Sequence, residues 1–171
     1  MTTEQLRNIS NYATLVNINT YTPLLNRYMH NYNICGKLRE SAFIATIIWE
    51  SGSFKYTREI ASGKAYEGRK DLGNIYKGDG VRFKGRGLIQ LTGRTNYALA
   101  SNALGVDFVS RPELIEQPDF ATMVSCWWWN MKGLNEVADT GDFRKVTRII
   151  NGGYNGFSDR EFWYKKALEI L

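Results

Sequence analysis

The sequence predicts a mainly α, α+β fold: a set of helices with one small β-hairpin element and a substrate cleft. Three observations predict it. Apolar residues recur at helical spacing through most of the 171 positions. One segment, Ala42 to Trp49, is apolar nearly all round, as a central buried helix is. A short alternating run, Leu88-Ile89-Gln90-Leu91-Thr92, has the period of a strand. Residues 1–171 are expected to form one domain, because the chain is long enough to bury a core and shows no linker, repeat or low-complexity segment.

Taken in order, Thr3-Glu4-Gln5-Leu6 starts the first helix, with Leu6, Ile9 and Ala13 on one face. Thr22-Pro23 opens a second, with Pro23 in the first turn and Leu24, Leu25, Tyr28 and Met29 buried; Gly36 ends it. The apolar third helix runs from Lys37, delivers Glu50 at its C-terminal end, and stops at Ser51-Gly52-Ser53. Residues 51–83 are rich in glycine and charge and read as a long functional loop, with a short hairpin near Phe54 to Ile60. In the strand that follows, Ile89 and Leu91 should face one way and hold the core, while Leu88, Gln90 and Thr92 face the other, where Gln90 and Thr92 can line a cleft. Thr95 to Leu104 is helical and Gly105 stops it; Arg111-Pro112-Glu113 begins a short helix. Asp119 is expected to cap a longer one through Met123, Cys126, Trp127 and Asn130. The triplet Trp127-Trp128-Trp129 spans more than one helix face, so at least one ring should meet solvent or substrate. Asp142-Phe143 starts a helix that points Phe143, Val146 and Ile150 inward and ends at Asn151-Gly152-Gly153. Ser158 and Glu161 suit a capping box for the last helix, which is amphipathic with charges of both signs.

Composition narrows the chemistry. The net charge of +5 favours an anionic partner, such as a nucleic acid, a membrane surface or an acidic wall polymer. The single histidine, His30, cannot furnish a histidine-rich zinc site or support a Ser-His-Asp triad. Cys35 and Cys126 are far apart, each in apolar company, and read as buried free thiols. No metal or organic cofactor is implied. The N-terminus has no apolar leader and the longest apolar run is too short to span a bilayer. Synthesis as a soluble cytoplasmic protein is therefore expected, with any wall target reached through another factor.

Two acids stand out. Glu50 ends a hydrophobic helix, where three effects act to keep a carboxyl protonated: desolvation beside Trp49, the negative end of the helix dipole and a second carboxylate nearby. Glu59, next to Arg58 in a polar loop, should stay ionised. The first setting suits a general acid and the second a general base. The competing structural role for Glu50 is a salt bridge to Arg58, Arg86 or Arg94 that closes the loop.

One pattern runs through Trp49-Glu50-Ser51-Gly52-Ser53-Phe54, Tyr56-Thr57-Arg58-Glu59-Ile60, Tyr66-Glu67-Gly68-Arg69, Gly85-Arg86-Gly87-Leu88-Ile89-Gln90-Leu91-Thr92-Gly93-Arg94, Asn96-Tyr97 and Ile150-Asn151-Gly152-Gly153. In it the chain resembles the glycoside hydrolase family 19 chitinases, most closely their short bacteriophage and prophage relatives that act as endolysins. The resemblance implies a lysozyme-like fold and inverting hydrolysis of β-1,4-linked N-acetylated hexosamine polymers. It implies Glu50 as general acid, Glu59 as general base and Thr92 as a holder of the attacking water. Gln90, Asn96 and Asn151 match sugar-contacting positions, Arg160 a C-terminal supporting arginine, and Tyr66 and Arg69 cleft residues. Trp49 departs from the pattern, since relatives usually carry His before the acid.

The basic charge and the resemblance together imply bacterial peptidoglycan as the partner, with transient contact to the anionic envelope, and a monomeric protein. Chitin is the second substrate. Two rivals from other classes are a glycan-binding protein without turnover and a nucleic-acid binder built on Lys84, Arg86 and Arg94; no nucleic-acid partner is expected.

Overall fold

The computed structural model describes all 171 residues. It is mainly helical, as expected, with α1 (Thr3–Ile9), α2 (Leu15–Asn31), α3 (Lys37–Glu50), α4 (Asp79–Arg82), α5 (Arg94–Leu104), α6 (Pro118–Met131), α7 (Leu134–Asp139), α8 (Phe143–Asn151) and α9 (Phe157–Ile170). Single 3₁₀ segments lie at Lys64–Tyr66, Lys70–Leu72 and Pro112–Glu116.

Every residue of α3 from Ser41 to Ile48 is buried, so this helix is the axis of the larger lobe. Helix α9 lies along it, and α1, α2, α7 and α8 complete the shell. Phe43 meets Trp129 edge-to-face at 5.3 Å in the middle of this core. A smaller lobe gathers Phe83, Leu91, Tyr97, Phe108, Ile115 and Trp127 around a second apolar centre. Helix α6 serves both lobes. It sends Ala121, Cys126 and Trp129 into the large core and Val124 and Trp127 into the small one, faces that a helix separates by its 3.6-residue turn.

The small lobe depends heavily on polar pins. Arg94 donates from Nε and Nη2 to the two carboxylate oxygens of Asp79, at 2.8 and 2.6 Å. Arg86 donates to Glu116 (2.8 Å), to the Arg82 carbonyl (2.8 Å) and to the Tyr97 hydroxyl (3.1 Å). Tyr97 in turn donates to the Lys84 carbonyl at 2.7 Å, and burial pushes its pKa up to about 12. The Glu67 carboxylate accepts from the Gly78 and Gly80 N–H groups.

Several sequence expectations need correction. Leu88 to Thr92 is no strand. Residues 87–90 form a tight turn closed by an isolated antiparallel bridge of Arg86 with Leu91; Arg86 also bridges Arg58, and these two bridges are all that the hairpin element amounts to. Gly87 and Gln90 both take positive φ, which turns the chain back before a ladder can grow. Leu88 is accordingly buried in the large core rather than set on the cleft side. The segment from Phe54 to Ile60 is not a hairpin either; Ser53 and Phe54 have positive φ and only Arg58 pairs.

Pro23 lies inside α2, which begins eight residues earlier under the Thr14 cap. Ile18, Tyr21 and Leu25 make a continuous buried face that outweighs the lost N–H bond, and Pro23 itself is exposed. Helix α1 ends at Ile9, leaving Ala13 outside it. Asp119 caps nothing: it sits one residue inside α6 and accepts from the Tyr28 hydroxyl at 2.9 Å. Ser158 and Glu161 form no capping box, because α9 starts one residue before Ser158 and Glu161 pairs with Lys165. Asp142 does cap α8, accepting from the Lys145 N–H at 2.9 Å. Of the two thiols, Cys126 is buried and Cys35 is exposed.

Candidate active site

The cleft lies where the lobes meet and has a volume of about 420 Å³. Glu50, Ile150 and Asn151 come to it from the large lobe, Ile89 to Thr92 and Asn96 from the small one, and Trp128 from α6 between them. Tyr66 and Leu72, from the loop between the lobes, close the other side.

Glu50 leaves the last turn of α3, where the burial of the preceding turns fixes its direction. Its Oε1 stands 2.6 Å from Nη2 of Arg160, a residue of α9 that is only 3% exposed. The Arg160 guanidinium lies over the Trp49 ring, 5.4 Å from its centroid, and its Nε donates to the Asn155 carbonyl at 3.3 Å. Trp49 therefore supports the cation that holds the acid. The start of α9 must come close for this to work. Gly156 caps that helix with φ +68°, and a Cβ there would stand 2.4 Å from Trp49 Cζ2. None of Arg58, Arg86 or Arg94 pairs with Glu50; Arg86 is tied to Glu116 and Arg94 to Asp79.

Glu59 is held differently, by hydrogen bonds from a loop. Its Oε1 accepts from the Tyr66 hydroxyl and its Oε2 from the Gly85 N–H, both at 3.0 Å. Its own N–H donates to the Gly85 carbonyl at 2.9 Å, so Glu59 meets Gly85 through both its backbone and its carboxylate. Burial first, and then the bond to Glu59, raises the Tyr66 hydroxyl above the ordinary phenol pKa, and the hydroxyl is the donor of that bond. Tyr66 faces the cleft that Glu50 lines and touches Glu59, so it joins the two carboxylate settings.

The remaining polar wall is built on the tight turn. Gln90 has φ +58°, an uncommon region for a residue with a side chain, and its Nε2 donates to the Gly87 carbonyl at 3.0 Å. Thr92 Oγ1 donates to the Gln90 carbonyl at 2.9 Å, and Asn96 Nδ2 donates to the Thr92 carbonyl at 2.7 Å. Asn151 Nδ2 is buried with no partner, an unsatisfied donor on a wall of the cleft.

Of the nine site residues read from the sequence, the cleft brings together Glu50, Tyr66, Gln90, Thr92, Asn96 and Asn151. Glu59 adjoins it through Tyr66 and Arg160 lies beneath Glu50. Arg69 is elsewhere: it is exposed, does not line the cleft and pairs with Asp71 at 2.5 Å. Sequence reasoning missed the apolar wall of Leu72, Ile89 and Ile150. The tryptophan triplet was a signal without an address: Trp127 and Trp129 are buried, and Trp128 is the ring in the cleft.

Residues 45–141 match the family model described as chitinase class I, glycosyl hydrolase family 19. The chain belongs to glycoside hydrolase family 19. The matched span holds both acids, the tight turn and Trp128. A family 19 domain-containing protein of Haemophilus influenzae is 37% identical over 116 residues, covering 67% of this chain and 56% of the relative. An endochitinase of Arabidopsis thaliana is 36% identical over 114 residues, 66% of this chain and 38% of the relative. The chain thus spans about half the length, or less, of these curated relatives. Among solved structures, chitinase C of Streptomyces griseus superposes with a TM-score of 0.78 at 22% identity, over 99% of this chain and 75% of that one. A class IV family 19 chitinase of Zea mays gives 0.70 at 20% identity, over 100% and 94%. These two likenesses establish a shared family 19 fold.

Proposed function

We propose that the chain hydrolyses β-1,4 bonds of N-acetylated hexosamine polymers with inversion, with bacterial peptidoglycan as the substrate and wall lysis as the outcome. The observation that carries this reading is the contrast between a carboxylate that lines the cleft, Glu50, and one that adjoins it through Tyr66, Glu59. Glu50 is set on a buried arginine, and Glu59 is held by a tyrosine hydroxyl and a backbone N–H. Glu50 Oε1 is occupied by Arg160, which leaves Oε2 as the oxygen free to face the glycosidic oxygen. Glu59, with the Thr92 hydroxyl, takes a proton from the water that attacks the opposite face of the sugar. Inversion needs the two carboxyl groups roughly 6.5–9.5 Å apart, to leave room for that water. In this reading Gln90, Asn96 and the unpaired Asn151 amide, all lining the cleft, would hydrogen-bond the sugar's hydroxyl and N-acetyl groups, and Trp128 would offer a ring for its apolar face. Proton transfer between carboxyl groups and water requires no metal or organic cofactor.

The net charge of +5 favours an anionic wall polymer over neutral chitin. The likeness to an endochitinase of Arabidopsis thaliana and to chitinase C of Streptomyces griseus favours chitin as the second reading. The nucleic-acid reading loses its supports, because Lys84, Arg86 and Arg94 are engaged within the small lobe: Lys84 with two carbonyls, Arg86 with Glu116 and Arg94 with Asp79.

The test is turnover on purified peptidoglycan and on chitin oligosaccharides by the wild type, Glu50→Gln and Glu59→Gln. Removing a positioned acid or base should cost on the order of 10³-fold in rate, with Glu59→Gln nearly as damaging as Glu50→Gln, and leave the circular dichroism unchanged. Wild-type lysis by Glu50→Gln would refute the assignment. Mass spectrometry of reduced fragments then decides between the muramic acid and glucosamine reducing ends.

A further inference from the structure

A second hollow of about 480 Å³ opens on the other side of Glu59. Its charged lining holds three cations against two carboxylates, and the mechanism above uses none of the cations. Lys55, Arg58 and Lys84 face it, against the carboxylates of Glu59 and Glu116. Both carboxylates are already committed. Glu59 accepts from Tyr66 and Gly85, and Glu116 accepts from the nearly buried Arg86 at 2.8 Å. The cations are less engaged. Arg58 is 62% exposed in its side chain and reaches Glu116 only at 3.9 Å. Lys55 has no carboxylate partner and stands 5.0 Å from the Tyr56 ring centroid. Lys84 Nζ donates to the Glu59 and Ala61 carbonyls, which leaves one of its three N–H donors. Exposed Tyr56 and Ile60 supply an apolar rim.

A hollow with a net positive lining, joined to the cleft by the bond between Glu59 and Tyr66, is suited to an anionic group on the same polymer. We propose that this hollow is an accessory subsite for a carboxylate carried by the glycan, such as that of an acidic ether or peptide substituent. It would lie on the Glu59 side of the scissile bond, with Arg58 and Lys55 as its specificity-determining residues. The inference rests on the hydrolase reading and deepens it: the hollow selects substituted acidic strands over neutral ones. Arg58 is the stronger partner, since its planar fork matches a carboxylate, whereas Lys55 acts as a point charge.

The experiment compares kcat/KM on soluble peptidoglycan strands, on the same strands with their carboxylates amidated, and on chitin oligosaccharides. Each exposed cation should contribute about three- to five-fold, as surface ion pairs do, so amidation should cost the wild type roughly ten-fold. Arg58→Ala with Lys55→Ala should shrink the ratio between native and amidated strands towards one. Raising the salt should lower turnover of the native strands more than of the amidated ones. Arg58→Lys should restore part of the ratio, which a merely structural role would not predict. A wild type that cleaves native and amidated strands equally well overturns the subsite and leaves the hydrolase reading standing. Absence of turnover on all three substrates overturns the hydrolase reading itself.

Discussion

Glu50 stands at the end of a helix that buries eight consecutive residues, Ser41 to Ile48, whereas Glu59 stands on a loop with no regular structure of its own. The first is directed by apolar packing, with one buried arginine behind it. The second is directed by hydrogen bonds from Tyr66 and Gly85, on a lobe pinned by Arg94 with Asp79 and Arg86 with Glu116. Apolar burial is non-directional and insensitive to pH, while charge-assisted bonds are directional and fail when a partner takes up a proton. One wall of the cleft should therefore be robust and the other conditional.

The largest effect should come from the robust wall. Phe43 is fully buried against Trp129, and Phe43→Ala leaves a cavity at the centre of the large lobe. We expect a loss of about 3–5 kcal/mol, read as a lower midpoint in urea unfolding. Both lobes should melt together, because α6 belongs to both cores. A separate, unshifted transition for the small lobe would break the comparison at its root.

Next comes Asp79, whose side chain is 2% exposed and holds Arg94. Asp79→Ala strands a partly buried guanidinium and should cost about 3 kcal/mol. Here activity should fall before the large lobe unfolds, since Asp79 and Arg94 frame the loop that carries Tyr66 and Asn74 towards the turn. The same pair sets a pH dependence. Hydrogen bonds from Arg94 hold the Asp79 carboxyl below its ordinary value of 3.8, against the opposing effect of desolvation. The unfolded chain binds that proton more readily than the folded one. Stability from the pair is therefore complete above the ordinary value and is lost as the pH falls through the depressed one. Thermal unfolding followed downward from about pH 6 should show the midpoint falling below about pH 4, and Asp79→Asn should flatten that fall. An equal slope in both proteins would remove Asp79 as the cause.

The same contrast explains what the sequence could disclose. The apolar run of α3 and its terminal acid are local facts, so the central helix and Glu50 were legible at once. The pairing of Glu50 with Arg160 joins residues 110 positions apart, and spacing alone does not reveal which of many arginines folds back. The run Leu88 to Thr92 alternates like a strand, but a positive φ at Gln90 was chosen by the bonds of the turn, which periodicity does not see. Pro23 misled for the opposite reason: a local stop signal was overridden by the continuous tertiary face of Ile18, Tyr21 and Leu25. The short helix α7 left too few residues for a period to register. Arg69 matched a motif, yet its exposed pairing with Asp71 shows that matching a pattern does not place a side chain in a cleft.

The smallest structural change is the sharpest probe of the conditional wall. Gly85 does not have a positive φ, so alanine is acceptable to its backbone. The added Cβ would stand 2.8 Å from Gln90 Oε1 and 3.2 Å from Glu59 Oε2. Gln90 can swing its flexible end aside at little cost, but Glu59 must give by a few tenths of an ångström while keeping its bond to the Gly85 N–H. Gly85→Ala should therefore change stability by less than about 1 kcal/mol, the usual scale of a single methyl accommodated without unfolding. Activity should fall by about ten-fold or more, because a base moved by that little loses its alignment with the attacking water. Stability and turnover measured on one preparation separate the two. If they fall together, the loop is holding the lobe and not the carboxylate; if turnover alone falls, the contact between Gly85 and Glu59 sets the position of the base.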